Sequence, residues 1–217
     1  MRPRIEGDRL RVGDATTAGV VLALLIGSLV CVALAPTLMP DSYSIVEHSI
    51  SESAAQGVEG AWLARTGFLL LGFAVLVLAS VGGTRWGVAG RLVHRAYGVA
   101  MIAVAAFAHM PWENVPSDAF EDTLHSVAAS TVGAAFTIGV LIVAIRRSRT
   151  WMRVFDALAV AAALGFSIAM FNVEGIAGVV QRTMFVVGYL WYGAEAIRSA
   201  APFSRSHPQA PVPRTVS

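Results

Sequence analysis

Residues 15–38 read ATTAGVVLALLIGSLVCVALAPTL, a long run without a charged side chain. An α-helix rises 1.5 Å per residue, so about 20 mostly apolar residues can cross the hydrocarbon core of a bilayer. The stretch is therefore predicted to be a transmembrane helix. Four arginines precede it, as in a signal peptide with a cleavage site at Ala33-Leu34-Ala35. The apolar run is long for a signal peptide, and a retained anchor is the favoured interpretation.

Further stretches of the 217-residue chain have the same character. They cover residues 61–81, 90–110, 123–145, 151–172 and 175–197. Continuous apolar helices of this length are typical of membrane spans rather than of soluble cores. Lipid allows only helices and closed barrels to span it, and no stretch alternates as a barrel strand does. The sequence therefore predicts an all-α membrane domain over residues 15–198, a bundle of six transmembrane helices.

The composition excludes several other classes of protein. Hydrophobic residues make up 56% of the chain, charged residues only 14%, and the mean hydropathy is +0.65. A soluble domain has about 25% charged residues, and a disordered chain is poor in apolar ones. The single cysteine excludes a disulfide framework. No nucleic-acid module is present, and anionic lipid facing the arginines accounts for the basic pI.

Arginine positions predict how the chain is threaded through the membrane. All 16 basic residues are arginine, and the segments at about 39–60, 111–122 and 173–174 contain none of them. Loops retained in the cytoplasm carry the basic excess, so both termini are predicted to be cytoplasmic in the cell membrane. Residues 1–14 would form an arginine-rich arm. Residues 199–217, rich in proline and serine, would form a disordered tail.

Two arginines, Arg65 and Arg182, lie within predicted spans near the outer face, where most acids and histidines collect. Arg65 is close enough to its end of the helix to act as an interfacial anchor. Arg182 lies about 10 Å into the hydrocarbon core, where an arginine costs roughly 2.5–3.5 kcal/mol. We therefore expect it to pair with an acid, in a structural ion pair or in a binding site. The candidate acids are Glu52, Glu113, Asp118 and Glu174.

The first outer loop contains Ser49-Ile50-Ser51-Glu52, which fits the S-x-x-E capping box. Ser49 would cap a short helix, Glu52 would reach back to it, and Gly57 would end it. This explanation leaves Ser51 and the neighbouring His48 unassigned. A serine nucleophile activated by a histidine is an alternative to which the sequence gives little weight.

His109 ends the third predicted span and His125 begins the fourth, so a short loop brings them near each other. Together with Glu113, Asp118 or Asp122 they would supply the three ligands that a catalytic zinc or another divalent metal needs. The spacing matches no established motif such as H-E-x-x-H. No cofactor is therefore expected, and a metal site is kept as the alternative.

Four elements of the sequence, in this order, carry a family resemblance. Residues 44–52 end in I-S-E, residues 110–113 or 115–118 resemble an F-P-x-D element, His125 opens the fourth span, and residues 178–182 read G-V-V-Q-R. Placed against six spans, they resemble the bacterial integral-membrane family called domain of unknown function 998. The two alignments of the second element leave open whether Glu113 or Asp118 holds its acidic position. Ser53 stands where the family usually has leucine.

The resemblance implies a six-helix fold and one polar cluster that contains Glu52, His125, Gln181 and Arg182, and it implies no reaction. The first hypothesis is a non-enzymatic protein whose outward-facing pocket binds a small molecule, an ion or a lipid headgroup. The predicted pocket residues are Ser51, Glu52, His125, Glu174, Gln181 and Arg182. The second hypothesis is a metal-dependent intramembrane hydrolase that acts on outer-leaflet lipid. A transporter ranks last because the glycines are not paired as helix breaks.

Overall fold

The computed structural model of the protein describes residues 3–113 and 115–200, and the regular structure in these ranges is entirely helical. The long helices are α1 (Pro3–Leu34), α2 (Ala61–Val81), α3 (Gly83–Ala106), α4 (Ala119–Arg146), α5 (Thr150–Asn172) and α6 (Ala177–Ala200). Two short 3₁₀ helices, Ala35–Leu38 and Glu52–Ala54, follow α1. The predicted tail beyond Ala200 lies outside the described residues.

The helices agree with the predicted spans, with differences at their ends. α2 coincides with the predicted 61–81, and α5 begins one residue before the predicted 151–172. α1 begins at Pro3, so the backbone of the predicted arm is helical from that residue on. The third span is displaced from the predicted 90–110, because α3 begins at Gly83 and ends at Ala106. α6 runs from Ala177 to Ala200 rather than over 175–197.

Several helices are long and apolar enough to cross a bilayer. In the described part of the chain these are Ala15–Leu38, Ala61–Val81, Arg85–Ala106, Ala119–Arg146 and Thr150–Met170. The prediction of an all-α membrane protein is therefore confirmed. α6 is as long as α3 but carries Gln181, Arg182 and Glu195, and it is not one of the five. The sixth crossing and the orientation of the termini stay predictions.

Each helix packs against the next, and α6 returns to α1 and α2, so the helices form a closed ring. α2 and α3 approach closely where Gly72 faces Gly98. A Cβ atom on either glycine would lie 2.9 Å from the carbonyl oxygen of the other. Small residues allow such backbone contact between membrane helices. The outer surface of the ring carries exposed apolar side chains such as Leu158 and Ile168, as a lipid-facing surface requires.

The connections between helices differ at the two ends of the ring. At what we call the long-loop end lie residues 39–60, 107–118 and 173–176. At the short-loop end, one residue joins α2 to α3 and residues 147–149 join α4 to α5. Nearly all of the irregular backbone, and with it the predicted polar cluster, is therefore at the long-loop end.

Candidate ligand-binding site

A reciprocal pair of hydrogen bonds shapes the first long loop. The backbone N–H of Ser49 donates to Glu52 Oε2 at 2.5 Å, and the N–H of Glu52 donates to Ser49 Oγ at 3.2 Å. This is the capping box that the S-x-x-E spacing predicts. The turn that it caps begins at Ile50 and leads into the 3₁₀ helix Glu52–Ala54, which ends before Gly57. Glu52 is therefore occupied with shaping its own loop.

Arg182 binds the backbone of this loop with its side chain. Arg182 Nη1 donates to the carbonyl oxygens of Ile45 at 2.8 Å, His48 at 2.9 Å and Gly178 at 3.0 Å. Its Nη2 donates to the Tyr43 hydroxyl at 2.7 Å. Among the described residues no acid forms an ion pair with it. The expectation that Arg182 pairs with an acid is thus wrong, because inward-pointing carbonyl groups already solvate the guanidinium.

Gly178 lets the loop lie directly against α6. A Cβ atom at this position would overlap the carbonyl oxygens of Ile45 and His48 and would lie 2.8 Å from that of Val46. The N–H of Val179 donates to the Val46 carbonyl at 3.2 Å, so the first turn of α6 also bonds to the loop. The glycine is required here for close approach of two backbones.

Arg65 holds the other end of the same loop. Its Nε donates to the Ala54 carbonyl at 3.0 Å and its Nη2 to the Ala55 carbonyl at 3.3 Å. Arg65 of α2 and Arg182 of α6 therefore both donate to backbone oxygens of one loop. We call the segment between them, residues 43–55, the roof loop.

The side chain of Gln181 meets Ser51 at the inner face of the roof loop. The Ser51 N–H donates to Gln181 Oε1 at 3.1 Å, and Gln181 Nε2 donates to Ser51 Oγ at 3.3 Å. Ser51 is 6% exposed. The two residues, 130 positions apart in sequence, are joined as the resemblance implies for the last span and the first loop.

Tyr43, the first residue of the roof loop, links Arg182 to Ser49. Its hydroxyl accepts from Arg182 and donates to the Ser49 carbonyl at 2.9 Å. Burial raises the pKa of the Tyr43 phenol above its ordinary value, although the Arg182 hydrogen bond and charge oppose the shift. The phenol therefore keeps its proton for Ser49. The ring packs 5.4 Å from that of His48 and 5.2 Å from that of Trp112.

The histidines considered as metal ligands are bound to the segment that follows α3. His125, 1% exposed, donates from Nδ1 to the Phe107 carbonyl at 2.8 Å. His109 Nδ1 donates to the Met110 carbonyl at 2.7 Å and lies 3.4 Å from Asp122 Oδ1. The two imidazole rings are 5.1 Å apart, close to each other as predicted.

The acids considered as metal ligands with them also accept hydrogen bonds from the chain itself. Asp118 caps α4 by accepting from the N–H groups of Phe120 at 2.8 Å and Glu121 at 3.3 Å. Glu113 accepts from Ser42 Oγ at 2.6 Å. Within the described residues, no three His, Cys, Asp or Glu side chains gather as a metal site would require.

Below the roof loop lies a cavity of about 590 Å³. Most of its wall is apolar, and its large lining side chains include Phe68, Met101, Phe136, Met184 and Phe185. Ser51 and Gln181 line it at the long-loop end. Thr137 and Ser167 also line it, but their hydroxyls donate to carbonyls of their own helices at 3.0 and 2.8 Å. The Ser51–Gln181 pair is thus a polar cap on an apolar chamber.

The cavity opens towards the side of the ring, between α4 and α5. Two of its lining residues, Ile138 of α4 and Leu164 of α5, are 50% and 51% exposed. At glycines on two helices, no side chain enters the cavity. A Cβ atom on Gly133 or on Gly188 would meet no atom within 4 Å. Glycine costs about 1 kcal/mol relative to alanine within a helix, and packing here does not require it.

The family model described as Protein of unknown function (DUF998) matches residues 15–198. The chain belongs to this family. The match runs from α1 to the last turns of α6, so it includes the roof loop and the cavity wall. No curated protein and no solved structure matches the chain. The resemblance inferred from the I-S-E and G-x-x-Q-R elements is confirmed.

The residues predicted as the DUF998 pocket take different places around the cavity. Ser51 and Gln181 line it. Glu52, Arg182 and His125 lie beside it with hydrogen bonds to the chain itself. Glu174 is exposed in the turn between α5 and α6. The polar side chains at the position of the predicted open pocket are thus hydrogen-bonded to one another and to the backbone.

Sequence reasoning missed Gln56, which ties the two longest loops of this DUF998 chain together. Its N–H donates to the His109 carbonyl at 2.9 Å, and its Nε2 donates to the carbonyls of Ala108 at 3.1 Å and Asp118 at 2.9 Å. Its Oε1 accepts from the Asp118 N–H at 2.7 Å. Most of these partners are backbone groups, so no pattern of side chains could have indicated the role.

A second polar cluster lies at the short-loop end, where the sequence predicts that Asp156 and Glu195 pair with Arg153 or Arg198. Arg147 forms ion pairs with Asp156 and with Glu195, the latter at 2.5 Å, and Arg198 also pairs with Glu195. Trp86 Nε1 donates to Glu195 at 2.8 Å, as Trp191 Nε1 does to Asp156 at 2.9 Å. Asp156 and Glu195 are 0% and 4% exposed. The cluster joins α3, α5 and α6 through the α4–α5 connection.

Proposed function

We propose that this protein is a non-catalytic integral membrane protein that binds a lipid, or a similarly amphiphilic small molecule, inside the helix ring. The observation that carries the proposal is the 590 Å³ cavity with an apolar wall and a polar cap. Its volume lies within the range of about 300–1,000 Å³ that small-molecule sites occupy. An acyl chain suits the wall of phenylalanine and methionine, and the ester group at its head end suits Ser51 and Gln181.

The bonding of the polar cap favours binding over catalysis. A serine nucleophile needs a base within hydrogen-bond reach. The hydroxyl of Ser51 faces the amide of Gln181, which is not a base, and Glu52 is committed to the backbone N–H of Ser49. Binding a ligand requires only that one hydrogen bond be exchanged for another. We therefore favour the binding hypothesis over a serine hydrolase. The hydrogen bonds that His109, His125, Glu113 and Asp118 make within the chain favour it over the metal-dependent hydrolase as well.

The proposed topology has six crossings, with the long-loop end outside and both termini in the cytoplasm of a bacterial cell. α6 has 24 residues and would be about 36 Å long, enough to cross. Its polar residues support this placement, because Arg182 and Gln181 bond to the roof loop, and Glu195 bonds to Trp86 and Arg147. Paired groups of this kind are the ones that membrane interiors tolerate. The arginine-rich segments are all at the short-loop end, as the positive-inside rule expects.

The test compares glycine-to-leucine variants that differ in where the new side chain points. Gly188→Leu would fill the cavity, whereas Gly165→Leu would add the same side chain at an exposed position of α5 with no atom within 4 Å of its Cβ. Both variants remove a helical glycine, so both should fold. Lipid retained by the purified protein would be counted by native mass spectrometry.

We expect Gly188→Leu to lower lipid occupancy about tenfold, while Gly165→Leu retains it. Loss of roughly two buried methylene contacts, at about 0.8 kcal/mol each, is enough for that factor. Wild-type protein without retained lipid, or equal occupancy in the two variants, would overturn the proposal.

A further inference from the structure

The roof loop closes the long-loop end of the cavity, and this restricts how a ligand can enter. Arg182 and Arg65 hold the loop by its carbonyls at both ends, and Ser51 and Gln181 bond to each other across the top. The gap between α4 and α5, where Ile138 and Leu164 are exposed, lies on the apolar outer surface of the ring, which in the proposed topology contacts the hydrocarbon of the bilayer. A ligand already dissolved in the membrane can therefore reach the cavity without moving the roof loop.

A shallow groove on α4 meets this gap. It is lined by Asp122, Thr123, Ser126, Val127, Ser130, Thr131 and Ala134. Ser130 and Ala134 also line the cavity, so the groove and the cavity are adjacent along one edge of the helix. The groove extends from there towards Asp122, in the first turn of α4 at the long-loop end.

The chemistry of the groove differs from that of the cavity. Most of its lining residues carry hydroxyls on an exposed face of an otherwise apolar helix. The hydroxyls of Thr123 and Thr131 donate to carbonyls four residues earlier, both at 2.8 Å, which leaves their oxygens as acceptors. Among the described residues that line the groove, the one charged group is the carboxylate of Asp122. The groove thus offers acceptors and negative charge.

The arginines at the long-loop end do not offset the negative charge of the groove. Arg182 donates to three carbonyls and a phenol, and Arg65 donates to two carbonyls. Neither lines the groove. The imidazole beside Asp122 is that of His109, 3.4 Å away, and its Nδ1 donates to the Met110 carbonyl at 2.7 Å. A headgroup with a net negative charge would therefore meet the carboxylate of Asp122, whereas an ammonium group would meet a complementary charge.

We propose that the ligand is a membrane lipid with an ammonium-bearing headgroup, which enters sideways between α4 and α5. Its headgroup lies in the α4 groove near Asp122, and one acyl chain fills the cavity under the roof loop. This inference rests on the proposed function and adds the class of lipid, the path and the residue that selects the headgroup.

The experiment offers the purified protein a choice between headgroups. Delipidated protein in detergent would be mixed with equal amounts of phosphatidylethanolamine and phosphatidylglycerol with identical acyl chains. Bound lipids would be distinguished by mass in native mass spectrometry. We expect the ethanolamine lipid to be preferred by about threefold or more, the size of a partly exposed charge contact.

Asp122→Asn tests the selecting residue without removing its structural bond. Asp122 Oδ1 accepts from the Met110 N–H at 2.8 Å, and an asparagine oxygen can do the same. We expect this variant to lose the preference while total lipid occupancy stays unchanged. Glu174→Gln removes an exposed acid at the same end that does not line the groove, and it should keep the preference.

The outcomes separate this inference from the proposed function. Equal binding of the two lipids by the wild type, with occupancy still lost in Gly188→Leu, overturns the headgroup and leaves the cavity as a lipid site. A preference that survives in Asp122→Asn overturns the role of this residue in the same way. Absence of binding by the wild type overturns both proposals.

Discussion

Gly178 is the point where the roof loop touches α6, and its replacement by alanine tests whether the loop is held there. The new Cβ atom would overlap the carbonyl oxygens of Ile45 and His48, which belong to backbone that Arg182 and Val179 also bind. Backbone oxygens cannot rotate away as a side chain can. Relief of the overlap therefore requires the loop to move off the helix.

The same helix provides a matched control. Gly193 also lies in α6, but a Cβ atom there would meet nothing within 4 Å. Replacement of a helical glycine by alanine gains about 1 kcal/mol at either position. Overpacking costs typically 1–3 kcal/mol, and it applies to Gly178 alone. The difference in unfolding free energy between the two variants is therefore the overpacking cost itself, with Gly193→Ala the more stable protein.

Hydrogen–deuterium exchange in detergent would locate the effect. In Gly178→Ala, residues 43–55 should exchange about tenfold or more faster, since 1.4 kcal/mol of local opening is a factor of ten. Exchange of the same segment in Gly193→Ala should equal that of the wild type. Thermal unfolding followed by tryptophan fluorescence gives the global stability. If Gly178→Ala matched Gly193→Ala in both measurements, the close contact between the roof loop and α6 would be refuted.

Two further predictions concern arginines that the sequence did not pair correctly. Arg182→Lys keeps the charge but loses most of the four hydrogen bonds of the guanidinium. We expect the unfolding free energy to fall by about 2 kcal/mol and the amides of residues 43–55 to exchange faster. Unchanged exchange would contradict the role of the guanidinium in holding the roof loop. Arg147→Met leaves the buried Asp156 and Glu195 without their shared partner, and we expect a loss of about 3–5 kcal/mol in thermal unfolding. The exposed Arg149, replaced in the same way, should change stability by less than about 0.5 kcal/mol, and equal effects at the two positions would contradict the buried network.

The long helices could be predicted from the sequence because a segment that crosses lipid must be apolar over about 20 residues. The residues at which the helices begin and end were harder to predict, because local hydrogen bonds determine them. The third span illustrates this. Residues 107–110 are apolar enough to continue α3, yet the N–H of Ala108 donates to Glu121 Oε1 at 2.7 Å and that of Met110 to Asp122 Oδ1 at 2.8 Å. These acids, at the start of α4, replace the helical partners of both groups. The first turn of α4 thus decides where α3 ends.

The meeting of the first long loop with α6 could be predicted from the sequence, but the hydrogen bonds between them could not. The S-x-x-E and G-x-x-Q-R elements placed Ser51, Gln181 and Arg182 together, and the first two form a direct pair. The partners of Arg182 could not be foreseen, because every residue carries a carbonyl group and only the path of the loop decides which ones face a donor. The cavity was equally hidden, since it depends on glycines whose empty side-chain positions become meaningful only when the helices surround them.

The bonding of the roof loop also explains why arginine rather than lysine occupies positions 65 and 182. Irregular backbone at the depth of a membrane is tolerated only where its polar groups find partners. A guanidinium presents five N–H donors in a rigid plane, whereas an ammonium is a point charge with three. Arg182 uses that fork to reach carbonyls on two sides of a turn and a phenol beyond it. For the threading predicted from the arginines of the short-loop end, charge alone matters, and lysine would serve equally well. At these two positions the shape of the donor group, rather than its charge, holds a loop closed over the cavity.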